Sequence, residues 1–379
     1  MELPVEVIDA GQVRLRPPRE SDANDIAAAC ADPLTQRFLP MLPVPYTLQD
    51  ALWWVNVGAA SSRAAGGAAY AVVNPTTDRV LGGTGINRVI GERAQGEVGY
   101  WIAPWARGRG VATAATIALS AWAFRHGFAR LELLTERENA ASQRVALNAG
   151  YRREGIRRMA GAGRAGTRHD LVAWARLIDD PPGPTGRIMP DLPAGLLSDG
   201  TITLRPLRTE DTDQLYALRT APDVVARAIP AFVPRRADIA ARCAVAESRW
   251  LAGEVVDLTI RAPGGELAGQ IGLYQVDPGL GQASVGYDLL PAYRRRGYAT
   301  RAVRLLAQWA FDHARLARLV AGTAPDNVAS QRVLERAGFV REGVQRRRLP
   351  ATGGDRVDDV LFGLVPGDSY AAVPSARTP

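Results

Sequence analysis

A chain of 379 residues, 47% hydrophobic and 22% charged, is long enough for two domains that each bury a core, and its composition is globular rather than disordered. The formal net charge of +7 and the pI of 9.8 come from arginine alone, since the sequence contains no lysine; the arginines are scattered among acids without an aromatic RNA-binding signature, so an anionic small ligand is favoured over nucleic acid. Cys30 and Cys243 fall at non-corresponding places and His126, His169 and His313 lack ligand spacing, so neither a disulfide framework nor a metal is expected, and the lack of an apolar run of signal or membrane-spanning length points to the cytoplasm.

In chain order, Val13 to Arg16 reads as a strand, Glu20 to Ala29 and Leu48 to Ala60 as helices, and Tyr70 to Val73, Val80 to Arg88 and Gly96 to Ile102 as strands. Val111, Ala115, Ala118, Leu119 and Trp122 then recur at helical spacing and form one apolar face. From Asp179 the sequence DDPPGPTGRIMPDLP carries prolines that remove backbone donors, so neither a helix nor a ladder continues through it. Beyond it, Asp257 to Arg261, Ala268 to Gln275 and Ala283 to Leu289 repeat the three-strand pattern.

The repetition is literal. RGRGVATAATIALSAWAFRH from Arg107 and RRRGYATRAVRLLAQWAFDH from Arg294 share eleven of twenty residues, and NAASQRVALNAGY from Asn139 and NVASQRVLERAGF from Asn327 share eight of thirteen. Leu15-Arg16-Pro17 and Leu204-Arg205-Pro206 open the two copies. The chain is a duplicated domain: residues 1–180, a proline-rich linker 181–196, residues 197–366, and a tail 367–379 with little to bury.

After the strand ending near Ile102 the chain turns through APWARGRGVAT, and after Leu289 through PAYRRRGYAT. A strand running into a glycine-bearing turn and then a helix presents unpaired N–H groups at the positive end of the helix dipole, a cradle for a pyrophosphate. Gly110 and Gly297 admit close approach of an anion, Ala112 and Ala299 keep the next turn slim, Thr113 and Thr300 supply hydroxyls, and Arg107 and Arg294 supply charge. The candidate cradles comprise Arg107, Gly108, Arg109, Gly110, Val111, Ala112 and Thr113 in the first copy, and Arg294, Arg295, Arg296, Gly297, Tyr298, Ala299 and Thr300 in the second.

These segments, with EVGYWI (Glu97 to Ile102) and the N-x-x-S and A-G-Y/F motifs downstream, resemble the GNAT acetyltransferase superfamily, and within it the RimJ/RimL-like group that acetylates protein amino termini. The resemblance covers nearly all of both halves. It implies an α/β fold of two tandem domains, each a mixed, mostly antiparallel sheet of six or seven strands flanked by helices, with two central strands splayed to admit the pantetheine of acetyl-CoA. It implies acetyl transfer to a primary amine in a ternary complex, a peptide or protein α-amine being favoured over a small antibiotic or metabolite; a noncatalytic acyl-CoA sensor or partner-binding module is the contrasting reading. A duplicated chain that imitates the family's common homodimer is plausible as a monomer.

The resemblance also assigns residues. A backbone N–H near Ile102 or Leu289 is expected at the oxyanion, and Asn139 and Asn327 begin the helix beside the cofactor. The tyrosine that many relatives use to protonate the departing thiolate is replaced by Ala146 and Leu334, so Ser142 and Ser330 are the candidates, or else they cap their helices. Glu97 matches a glutamate that deprotonates the amine directly or through water, or is a strand carboxylate paired with an arginine; its counterpart is Ser284. Asp170 and Asp359, read as corresponding residues, are expected to hold substrate or a loop, while a carboxylate some relatives carry further on is absent at Gly161 and Leu349. Tyr46, Trp53 and Trp54 wall the acceptor pocket or belong to the core. An α-amine suits a site with weak base assistance, because at pH 7 it reaches its neutral form at a cost about 3 kcal/mol lower than lysine.

Overall fold

The computed structural model describes residues 3–230, 232–351 and 354–368. The chain divides into two compact units, Met1–Gly186 and Arg187–Pro379.

In the first unit the strands are β1 (Ile8–Asp9), β2 (Arg14–Arg16), β3 (Ala68–Val73), β4 (Val80–Ile90), β5 (Gln95–Ile102), β6 (Arg130–Glu136), β7 (Arg152–Ala162) and β8 (Arg168–Leu177). The helices are α1 (Ala23–Cys30), α2 (Pro33–Phe38), α3 (Leu48–Trp53), α4 (Ala59–Ala64), α5 (Val111–Arg125) and α6 (Ala140–Asn148), with a π-helical stretch, Trp54–Gly58, joining α3 to α4. The strands form one eight-stranded sheet in the order β1-β2-β3-β4-β5-β6-β8-β7. The count exceeds the expected six or seven partly because β1, only two residues long, pairs with β2 at one edge. All neighbours are antiparallel except β5 and β6.

Side-chain alternation assigns the helices to faces. Tyr70 on β3 meets Trp122 of α5 edge-on at 5.8 Å, whereas Ala71 and Val73 join Ile26 of α1 and Ala51 of α3 in a separate cluster. Thus α1 and α3 cover one face and α5 the other.

The second unit repeats this with β9 (Leu197–Ser198), β10 (Thr203–Pro206), β11 (Val256–Arg261), β12 (Leu267–Asp277), β13 (Gln282–Leu289), β14 (Arg318–Thr323), β15 (Val340–Pro350) and β16 (Arg356–Leu364). Its helices are α7 (Thr212–Thr220), α8 (Pro222–Val225), α9 (Arg236–Leu251), α10 (Tyr298–Asp312) and α11 (Val328–Arg336), and its sheet runs β15-β16-β14-β13-β12-β11-β10-β9. Trp250 of α9 and Trp309 of α10 meet at 5.8 Å within its core.

The segment read as a linker is divided between the units. The Thr185 N–H donates to the Leu147 carbonyl at 2.8 Å and its hydroxyl to the Tyr151 carbonyl at 2.9 Å, while Met189 and Leu192 are buried in the second core. The tail expected from residue 367 lies, beyond Asp368, outside the described residues. The motifs that open the copies are anchors: the guanidinium of Arg16 donates twice to Asp22, at 2.8 Å each, and Arg205 donates twice to Asp211 at 3.0 and 2.6 Å.

Candidate functional site

The two parallel central strands of each unit pair only at their first residues. Gln95, Gly96 and Glu97 of β5 face Arg130, Leu131 and Glu132 of β6, and Gln282, Ala283 and Ser284 of β13 face Arg318, Leu319 and Val320 of β14. Beyond those pairs the strands diverge, while β6 stays paired with β8 along its whole length. A strand edge without a ladder partner leaves alternate N–H and C=O groups available to an extended ligand. The free edge of β5 runs from Val98 to Ile102 and that of β13 from Val285 to Leu289, the strand ends where an oxyanion donor is expected.

At the open end lies the turn. Gly110 and Gly297 are the residues immediately before α5 and α10, with φ of 74° and 76°, in the left-handed region where an L side chain is strained. A Cβ at Gly297 would meet nothing within 4 Å and one at Gly110 only Gln12 Nε2 at 3.3 Å, so the space over each turn is open. The first intrahelical bonds return the Ala114 N–H to Gly110 and the Arg301 N–H to Gly297, so the N–H groups of Val111 to Thr113 and of Tyr298 to Thr300 have no acceptor within their helices. The side chains of Val111, Tyr298 and Ala299 are buried, so these residues offer backbone rather than side chains.

The arginines of the turns divide. Arg107 does not point at the cradle: its Nε donates to the Ile102 carbonyl at 3.2 Å and its Nη2 to Asp32 and Thr35 of the α2 start. Arg294 likewise donates to the Leu289 carbonyl at 3.2 Å and to Asp223 of α8 at 3.0 Å. A carboxylate within reach outcompetes solvent for the guanidinium, so these arginines clamp the turn to a neighbouring helix instead of presenting free charge over it, as the sequence reading expected. Arg109, beside exposed Gly108, is exposed; Arg295 adopts φ 61° where the first unit has Gly108, and Arg296 lies over the Tyr293 ring at 5.7 Å.

Across the splay stand the serines. Asn139 caps α6 and its Oδ1 accepts the Ser142 N–H at 3.1 Å; Asn327 does the same for Ser330 at 3.3 Å. The asparagine is therefore the cap, and the serine hydroxyl is aimed elsewhere: Ser142 Oγ meets the Tyr100 hydroxyl at 2.7 Å and Ser330 Oγ meets that of Tyr287 at 2.8 Å. Burial pushes the Tyr100 phenol well above its ordinary range and the Tyr287 phenol up to about 12, so both stay protonated at neutral pH. Sequence reasoning assigned these tyrosines no role, although each G-Y pair was part of the repeat.

Glu97 lies on the α3 face, three residues or about 10 Å before Tyr100 along the strand. Its Oε2 accepts from Arg88 at 3.0 Å, and burial raises its pKa, with Glu132 adding repulsion and Arg88 opposing. Ser284, in the same place, bonds Gln275 Oε1 at 2.8 Å. Tyr46 is buried beside Cys30 and Ala51 and belongs to the core, whereas Trp53 and Trp54 line a cavity of about 270 Å³ that also touches Asn87 and Arg88.

The correspondence of Asp170 with Asp359 is corrected by register. Val172 faces Thr135 as Val360 faces Thr323, which makes Asp358 the counterpart of Asp170. Asp170 accepts the Met159 N–H at 2.9 Å and Asp358 the Arg347 N–H at 2.8 Å, each holding a residue of positive φ in its hairpin. Asp359 is instead a buried carboxylate bonded to Arg348 at 2.8 Å, its pKa raised by burial.

A second cavity, of about 300 Å³, was not anticipated; it is lined by Arg37, Pro40, Glu136, Gly163, Arg164 and His169. Among the described residues no group of His, Cys, Asp and Glu has the arrangement of a metal site, and no helix is long and apolar enough to cross a membrane.

Residues 12–152 and 201–340, about three quarters of the chain, match the family described as acetyltransferase (GNAT) domain. The chain is similar to the probable N-acetyltransferase YjcK of Bacillus subtilis (strain 168), 41% identical over 103 residues that make up 27% of this chain and 57% of that protein. It is also similar to the putative ribosomal N-acetyltransferase YdaF of the same organism, 35% identical over 89 residues, 24% of this chain and 49% of that one. The chain thus spans about half the length of these curated relatives. Among solved structures, Mycobacterium smegmatis RimJ in complex with CoA-disulfide is 22% identical over 47% of this chain and 88% of that one, with a TM-score of 0.41.

Proposed function

The chain belongs to the GNAT acetyltransferase family, and on that premise we propose that it transfers the acetyl group of acetyl-CoA to a primary amine, with a peptide or protein α-amine as the favoured acceptor. The observation that carries this reading is the repeated juxtaposition of a splayed strand pair, an αL glycine before a helix of open N–H groups, and a Tyr–Ser hydroxyl pair across the gap. The cradles fit the group: backbone N–H donors of residues 111–113 and 298–300 would hold the pyrophosphate, and the free edges of β5 and β13 the pantetheine. When bound, acetyl-CoA supplies an acyl thioester.

The residues divide the remaining work. N–H groups of the β5 edge near Ile102 offer donors for an oxyanion. Ser142, its Oγ held 2.7 Å from the Tyr100 hydroxyl, is the proton donor to a departing sulfur. Glu97 places negative charge on the acceptor face and draws a cationic amine there.

A specific observation favours a different reading for the second unit. It keeps the glycine, the splay and the Tyr287–Ser330 pair but has Ser284 for Glu97, so we propose that it binds the cofactor without comparable catalysis on the same acceptor. Calorimetric titration of the whole chain with acetyl-CoA, beside Gly110→Glu and Gly297→Glu, tests both statements. Two sites, each lost with its own substitution, together with peptide-dependent thiol release abolished only by Gly110→Glu, are expected; absence of binding refutes the enzymatic reading.

A further inference from the structure

The cavity of about 300 Å³ in the first unit contains a histidine–carboxylate pair without an assigned role. His169 on β8 and Glu136 at the end of β6 approach at 3.0 Å, Nε2 to Oε1, and both line the cavity. Three observations make the pair a built feature. The residue facing His169 on β7 is Gly161, where an added Cβ would lie 2.4 to 3.0 Å from Nε2, Cδ2 and Cε1 of the ring, so the imidazole rests on a position cleared for it. Glu136 anchors the Nε2 edge, leaving Nδ1 as the second nitrogen. The pair also lies at the mouth of the splay: counting along the parallel strands from the last matched residues, Glu97 and Glu132, brings Glu136 level with Trp101, one residue beyond the Tyr100 that meets Ser142. Because the strands have diverged, this level is the wall opposite β5, on the face away from α5.

We propose that His169, held by Glu136, is the catalytic base that touches the acceptor amine in the first unit. This rests on the acetyl-transfer reading above and deepens it. In the neutral imidazole Nε2–H donates to Glu136 and Nδ1 keeps the basic lone pair. The amine nitrogen forms a bond to the acetyl carbon while its proton passes to Nδ1; the C–S bond breaks, the sulfur leaves as thiolate and takes a proton from the Ser142 hydroxyl, which solvent replenishes. The products are the N-acetyl amide and free thiol, and His169 returns its proton to water. Counting in register, the second unit has Ala324 in place of Glu136, Val357 in place of His169 and Leu349 in place of Gly161, so the device belongs to the first unit alone. The charged groups that line the cavity with the imidazole are Glu136, Arg37 of α2, itself ion-paired to Glu138 just beyond β6, and Arg164 of the β7–β8 turn, which donates to the carbonyls of Leu42 and Gln36.

The test uses the full chain with saturating acetyl-CoA and the amide of trialanine as acceptor, reading thiol release from pH 5 to 9. His169→Gln is expected to lower kcat/KM at least a hundredfold at pH 7 and to abolish the acidic limb of the profile. Glu136→Ala is expected to cost about tenfold, because the imidazole loses the acceptor that fixes its Nε2–H tautomer. Unchanged acetyl-CoA affinity and melting temperature exclude misfolding. A His169→Gln rate within threefold of the parent, with the limb intact, overturns the proposal. If trialanine amide is not acetylated at all, the functional reading fails first; nitrogen-15 spectra of the three imidazoles then still decide the pair. They support it if His169 is the Nε2–H tautomer in the parent and loses that preference in Glu136→Ala, and refute it if its tautomer distribution is the same in both proteins.

Discussion

Replacing Tyr100 by Phe tests how the hydroxyl pair works. The Tyr100 oxygen lies 2.7 Å from Ser142 Oγ and donates to the Ser142 carbonyl at 3.3 Å, and burial keeps the phenol protonated throughout the working range, so it is a neutral partner that fixes the position of the serine hydroxyl. Deleting one neutral hydrogen bond costs about 1 kcal/mol of stability, because the half-exposed Ser142 recovers a water in exchange. For a domain of this size that lowers the melting temperature by about 2–4 °C. The kinetic effect comes from orientation: a serine released among three staggered wells occupies the productive one about a third of the time, so kcat falls about threefold, far less than the roughly hundredfold expected for Ser142→Ala. The assay is thiol release with trialanine amide for both single variants and the double variant, with denaturant unfolding in parallel. Tyrosine acting through serine predicts that Tyr100→Phe has no further effect on kcat in the Ser142→Ala background. If the two losses multiply, the phenol acts on its own and this account of the pair is refuted.

Gly297→Ala and Gly195→Ala form a matched comparison, since the glycines have φ of 76° and 77° and a Cβ on either would meet nothing within 4 Å. Each should lose about 1–2 kcal/mol to backbone strain, but only Gly297→Ala should weaken acetyl-CoA binding at the second site, by tenfold or more in calorimetry. Glu97→Gln should raise the melting temperature near pH 7 and leave it unchanged near pH 4: burial raises the folded-state pKa, so the wild-type carboxyl favours the fold below its unfolded pKa and loses that contribution as pH rises through the folded one. Asp22→Asn should cost the first unit about 1.5–3 kcal/mol in urea unfolding, because Arg16 and Asp22 are only 2% and 4% exposed and the buried guanidinium then keeps only the Asp78 carboxylate, at 2.9 Å.

The duplication, the element order, the glycine turns and the family were legible in the sequence because each is a local pattern. Periodicity marks a buried face whatever it packs against, and a glycine that must adopt positive φ is visible as a glycine. The candidate site was legible only where its residues are neighbours along the chain. Ser142 could be named but not aimed: whether it capped its own helix or turned toward a strand was decided by Asn139 taking the cap and by Tyr100 arriving from 42 residues away. Arg107 and Arg294 looked like phosphate ligands until Asp32 and Asp223, distant in sequence, were found beside them. Glu136 and His169 lie 33 residues apart and meet only because β6 and β8 are adjacent in the sheet, over a glycine contributed by a third strand. Composition and spacing determined the scaffold and the glycine turns, whereas strand pairing and register, which the chain acquires only on folding, decided which side chains meet.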